Sequence, residues 1–119
     1  MEYTIHEQNG VIVCRFSGEV RLEDMIESWN SVFATYTNLK DYKGIVNIYL
    51  DAEVKHEDNN LNVIVEYLKG YLDHLRDLKI AIVMDTPMVT STIIIGQRMK
   101  RLQIKPFATE KAALEWVRL

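Results

Sequence analysis

"KIAIVMDTPMV", residues 79–89, is a nearly continuous apolar run rich in β-branched residues, followed by a turn-forming triplet. Bounded by Lys79 and Asp85, the run suits an interior parallel strand covered on both faces. Asp85, Thr86 and Pro87 then end that strand and open a helix. The Thr86 hydroxyl can cap the helix, and Pro87 can occupy its first position, where a missing N–H costs nothing and φ is already set. The same geometry has a functional alternative, because free N–H groups at a helix start attract anions and ligands of open sheets lie beyond the carboxyl ends of strands. Asp85 opposes an anion there. A buried strand feeding directly into a helix implies β and α layers.

Upstream, "YTIHEQNGVIVCRF" reads as two antiparallel strands, at about 3–8 and 11–17, joined at Asn9-Gly10, since both turn residues tolerate positive φ. "LEDMIESWNSVFATY", residues 22–36, places Leu22, Met25, Ile26, Trp29, Phe33 and Tyr36 at helical spacing. Arg21 stands where a capping Ser or Thr is usual, so this helix is expected to start less sharply. "IVNIYLDAEV", residues 45–54, reads as a largely buried strand. Asp58, Asn59 and Asn60 then offer caps for a helix over residues 61–78, which Gly70 weakens slightly. Downstream, "IKPF" at 104–107 is a short edge strand, because Pro106 cannot serve a central ladder. A last helix starts at Thr109. The expected order is β, β, α, β, α, β, α, β, α: one domain over 1–119, a mixed sheet of four or five strands with an N-terminal hairpin and about four helices.

Composition bounds the function. The 119 residues carry 14 Lys and Arg against 17 Asp and Glu, a formal charge of −3, so no net basic field is available for nucleic acid. Lys100, Arg101 and Lys105 near Arg98 read as a solvated helix end that complements the dipole. No apolar run approaches the length of a membrane span, no secretory leader is recognisable, and a cytoplasmic protein is expected. Cys14 is the sole cysteine and lies within "VIVCRF", where a thiol packs as a small hydrophobe.

Catalytic and cofactor motifs are not found. The sequence holds no glycine-rich phosphate loop and no dinucleotide fingerprint, so no cofactor is expected. Asp51, Glu53, His56, Glu57 and Asp58 lack the ligand order of a calcium loop and read as a solvated loop and helix cap. His6 and His74 have no visible triad partner. The helix over residues 87–102 is more informative. Met88, Thr92, Ile95, Met99 and Leu102 fall on one stripe that Val89 and Ile93 widen, while Ile94 is expected to lie away from it, near Ser91 and Arg98. Gly96 within it is expected to allow close packing or to relax the helix. The apolar surplus and the methionines point to a protein partner, a second copy of the chain, or a small apolar ligand. The candidate binding residues are Asp85, Thr86, Met88, Ser91, Ile94, Ile95 and Arg98.

The residues "KIAIVMDTPMV", a following helix, "IKPFAT", "EKAALEWV" and the early "RFSGEVRLEDM" together resemble the bacterial SpoIIAA-like proteins, a group similar to the STAS domains and to the lipid-binding domain of the Sec14 class. The resemblance covers nearly the whole chain. It implies a non-enzymatic domain that acts by protein contact, or alternatively a carrier of a small apolar or lipid ligand between helix 87–102 and the sheet. In the STAS anti-sigma-factor antagonists it also implies a phosphorylated serine at the start of the helix after the third strand. No Ser or Thr occurs here from Asn38 through Asp85, so that acceptor does not carry over.

Overall fold

Asn9 and Gly10 both adopt positive φ, 51° and 80°, and close a tight turn between two antiparallel strands. The computed structural model describes residues 1–55, 60–85 and 89–119. In chain order these form β1 (Glu2–Gln8), β2 (Val11–Val20), α1 (Leu22–Thr35), β3 (Gly44–Val54), α2 (Asn60–Lys69), α3 (Leu72–Leu75), β4 (Lys79–Val83), α4 (Val89–Arg98), β5 (Gln103–Phe107) and α5 (Glu110–Arg118). One 3-10 turn, Leu39–Asp41, precedes β3. The sheet order is β1-β2-β3-β4-β5, with β1 antiparallel to β2 and every later pair parallel. Pro106 lies on β5 at the sheet edge, as its missing N–H requires.

This sequential order decides which face each helix covers. Crossovers of one hand that always step the same way along a sheet place their helices on one side. Trp29 and Val32 of α1, Val65 and Leu68 of α2, Leu75 of α3, and Ile95 of α4 accordingly join one core, with Ile12, Ile45 and Ile80 from the strands. The terminal α5 is no crossover and covers the opposite face, where Ala113 and Val117 meet Val11, Val13, Val46, Ala81 and Val83. The central strands are therefore buried on both sides, which is why "KIAIVM" has no polar alternation. Phe16 and Tyr49 stack with ring centroids 4.5 Å apart, a pairing worth about 1 kcal/mol beyond its buried area.

Gly44 is the most closely packed of the glycines. A Cβ there would lie 2.1 Å from the Lys79 carbonyl oxygen and 2.8 Å from a Val117 methyl, so no side chain fits between β3, β4 and α5.

Five local expectations are revised, the first being the end of the helix expected over residues 87–102, which stops as α4 at Arg98. The helix expected over residues 61–78 is two helices. α2 ends at Lys69, and the Gly70 and Tyr71 amides turn back to the Tyr67 and Leu68 carbonyls, three residues earlier, at 3.1 and 3.0 Å. Glycine's low helix propensity lets the chain tighten and re-aim there. β2 runs past residue 17 because, after a bulge between Arg15 and Ser17, pairing with β3 resumes as far as Val20 and Val54. The α1 start is secured from the other direction, the Asp24 carboxylate accepting the Arg21 backbone N–H at 2.9 Å. Ile93, not Ile94, is the outward isoleucine: Ile93 is 46% exposed, whereas Ile94 is half-buried. Arg98, one turn after Ile94, hydrogen-bonds Asn62, so that flank of α4 is sheltered by α2 while Ile93 and Gln97 face solvent on the other.

Candidate functional site

The helices over the larger core do not close completely. A cleft of about 280 Å³ opens between α1, α2, α4 and the sheet. From α1 it takes Met25, Ile26 and Trp29, which a narrower apolar stripe would have turned toward the sheet alone. From α2 come Leu61, Ile64 and Leu68, and from the strands Tyr49, Ile82 and Ile104. These side chains are the ordinary products of amphipathic patterning; the cleft exists because α1, α2 and α4 stand apart above them. Its volume falls just below the range common for small-molecule sites, and its lining has the matching character, largely apolar with a few polar groups.

Those polar groups are specific. Lys55, Asn60, Tyr67, Ser91 and Thr92 all reach the cleft. The Lys55 ammonium donates to a Glu53 carboxylate oxygen at 2.7 Å, and that hydrogen bond and charge keep the ammonium protonated above its usual range. Tyr67 donates to the Asn30 side-chain Oδ1 across α1 and α2. Partial burial, with Tyr71 nearby, pushes its phenol up to about 12, so it stays a neutral donor. The Thr92 hydroxyl lies 3.5 Å from the Met84 sulfur, toward which it donates, which is how a threonine occupies the buried stripe. Next to the floor, Asn47 is 4% exposed and pairs in register with Cys14 and Ile82. Its Nδ2 has no hydrogen-bond partner among the described residues.

The sequence-derived candidates divide. Ser91 and Ile95 line the cleft. Arg98 closes the α2–α4 flank through Asn62, and Ile94 lies on that flank outside the lining. Asp85 is exposed at the end of β4. Thr86 and Met88, the helix cap expected from Thr86-Pro87, and the loop residues His56, Glu57 and Asp58 lie outside the described residues. Sequence reasoning did not find the α1 and α2 residues as a site, nor Lys55. The one available signal was the breadth of the α1 stripe, on which Met25, Ile26 and Trp29 span more than one strand requires.

Cys14 offers no second site. It is fully buried, burial pushes its thiol up to about 12, and a thiol so held is no nucleophile near neutrality. Among the described residues no group of three His, Cys, Asp or Glu side chains is placed to hold a metal, and no helix is long and apolar enough to cross a membrane.

A family model described as SpoIIAA-like matches residues 11–118. No curated protein is significantly similar in sequence. Among solved structures, a candidate anti-sigma factor antagonist of Thermotoga maritima is 23% identical and superposes with a TM-score of 0.65, over 98% of this chain and 95% of that one. An anti-sigma factor antagonist of Mycobacterium paratuberculosis is 18% identical, with a TM-score of 0.63 over 99% and 94%. The phosphorylated form of the Bacillus cell fate determinant SpoIIAA is 12% identical, with a TM-score of 0.60 over 98% and 100%. At these identities the structures share the fold. The chain belongs to the SpoIIAA-like family.

Proposed function

We propose that this SpoIIAA-like chain is a non-enzymatic binding domain that acts by protein contact through the outer face of α4. Membership of the SpoIIAA-like family and a fold shared with anti-sigma factor antagonists support a regulatory protein-contact role. The observation that carries the choice of face is Ile93, at 46% exposed the most exposed large apolar side chain within the described helices and strands. With no Ser or Thr between Asn38 and Asp85, contact is governed by something other than a phosphoserine after β3. Ile93→Asp tests this. At an exposed helix position it should leave stability within about 0.5 kcal/mol, while association with the partner, or with a second copy, falls at least tenfold by analytical ultracentrifugation. Unchanged association would remove the reading.

A second reading is favoured by the cleft itself. An apolar cavity of about 280 Å³, floored by the sheet and roofed by α1, α2 and α4, fits a carrier of a small apolar ligand. It differs from the first in what binds and where, inside α4 rather than outside it. Cleft-filling by Ile64→Trp should abolish ligand uptake without touching association through Ile93. Uptake that survives the substitution would count against the cleft.

A further inference from the structure

We propose, resting on the cleft reading above, that the ligand is a short single-chain amphiphile bearing one negative charge: a medium-chain carboxylate whose chain lies against Trp29 and whose head meets Lys55. The size follows from the cavity. At about 30 Å³ per water, roughly nine waters would fill it, so it accepts on the order of ten heavy atoms. A two-chain lipid or a sixteen-carbon chain would have to extend beyond the cleft into solvent.

The charge follows from the lining. Among the described residues around the cleft, Lys55 alone carries a formal charge, and none is a carboxylate. Its side chain is 39% exposed, so it stands at the mouth, whereas Leu68 is buried and Ile82 only 8% exposed on the inner wall. An ammonium has three donors, and one is used on Glu53. That exposed pair holds only weakly, leaving the remaining donors for a ligand oxygen. The neighbouring Arg21 and Glu19 pair with each other at 2.5 Å and offset one another's field. Ser91 and Asn60 add neutral hydrogen-bonding groups. Lys55 above an apolar bore matches one anion on an apolar chain.

The chain supplies its own reporter. It has two tryptophans. Trp29 lines the cleft, and Trp116 lies on α5, with its ring 5.5 Å from that of Phe107. In the Trp116→Phe protein, fluorescence therefore reads the cleft alone. Decanoate, kept below its aggregation concentration, should give a saturable change; 1-decanol, hexadecanoate and two-chain phosphatidylcholine vesicles should each bind at least tenfold more weakly or not at all. Lys55→Met should weaken decanoate about tenfold and leave decanol unchanged, the loss expected for one partly exposed charge-assisted hydrogen bond. A melting curve confirms that each variant is folded. Decanol binding as tightly as decanoate, or Lys55→Met without effect, would overturn the anionic head while leaving an apolar cleft. Hexadecanoate or vesicles binding as tightly as decanoate would overturn the short chain. No saturable response to any of the four probes would overturn the cleft reading along with this inference.

Discussion

Replacing Gly44 with alanine would set a methyl carbon 2.1 Å from the Lys79 carbonyl oxygen, against an ordinary closest approach of about 3.3 Å for such a pair. The opposing atom is backbone, in the first rung of the β3–β4 ladder, and cannot rotate aside. On the other side a Val117 methyl at 2.8 Å blocks retreat toward α5. The strands must therefore part by roughly 1 Å at this rung. Overpacking of this kind costs about 1–3 kcal/mol, and loosening one ladder hydrogen bond adds about 1 kcal/mol. The sum, about 3 kcal/mol, is a large share of the 5–15 kcal/mol typical of a domain. For a chain between the 100- and 150-residue classes it should lower Tm by about 10 °C. Thermal unfolding followed by far-UV circular dichroism reads this directly. A Gly44→Ala protein melting within about 2 °C of the parent would refute the close approach of β3, β4 and α5.

Three other consequences are open to test. Burial raises the Cys14 thiol from 9.0 to about 12 and raises the Tyr49 phenol as well, so above pH 9 the unfolded chain binds fewer protons than the native one. Stability should accordingly be flat at neutral pH and fall as pH rises from about 9 to 12, by up to about 1.4 kcal/mol per unit for each group titrating only in the unfolded chain; a urea midpoint at pH 10.5 equal to that at pH 7.5 would contradict this. Asn47→Val removes an amide whose Nδ2 has no partner among the described residues, and should cost less than about 1 kcal/mol by urea titration; a loss above 2 kcal/mol would show that the amide is satisfied. Peptide mapping of the native protein should find no phosphoserine or phosphothreonine in residues 38–85, where neither residue occurs, and phosphate on any peptide there would call for a different acceptor chemistry.

What could be read from the sequence was local or periodic. Asn9-Gly10 announced its hairpin because few residue pairs accept two positive φ values. "KIAIVM" announced an interior strand because both its faces are buried, and Pro106 announced an edge. Quantities set by neighbouring elements were less legible. Gly70 was visible as a weak point, but whether a helix bends or breaks there depends on what α3 must cover. The helical stripe of α4 fixed which residues face the sheet, yet the choice of Ile93 over Ile94 as the exposed one depends on which flank α2 shelters, a fact carried by Asn62, some 30 residues away. The cleft was the least legible feature. Its apolar residues obey the pattern of a closed core, and only the separation of three helices turns that pattern into a cavity.

Native mass spectrometry of the chain recovered from its own cells, beside its Ile93→Asp variant, tests most directly whether this is a binding domain working through α4. The parent should carry a stoichiometric protein, either a partner or a second copy, that the variant has lost, while any small molecule held in the cleft stays with both. A parent that runs as a bare monomer, or a variant that keeps the same protein at the same occupancy, would contradict the account.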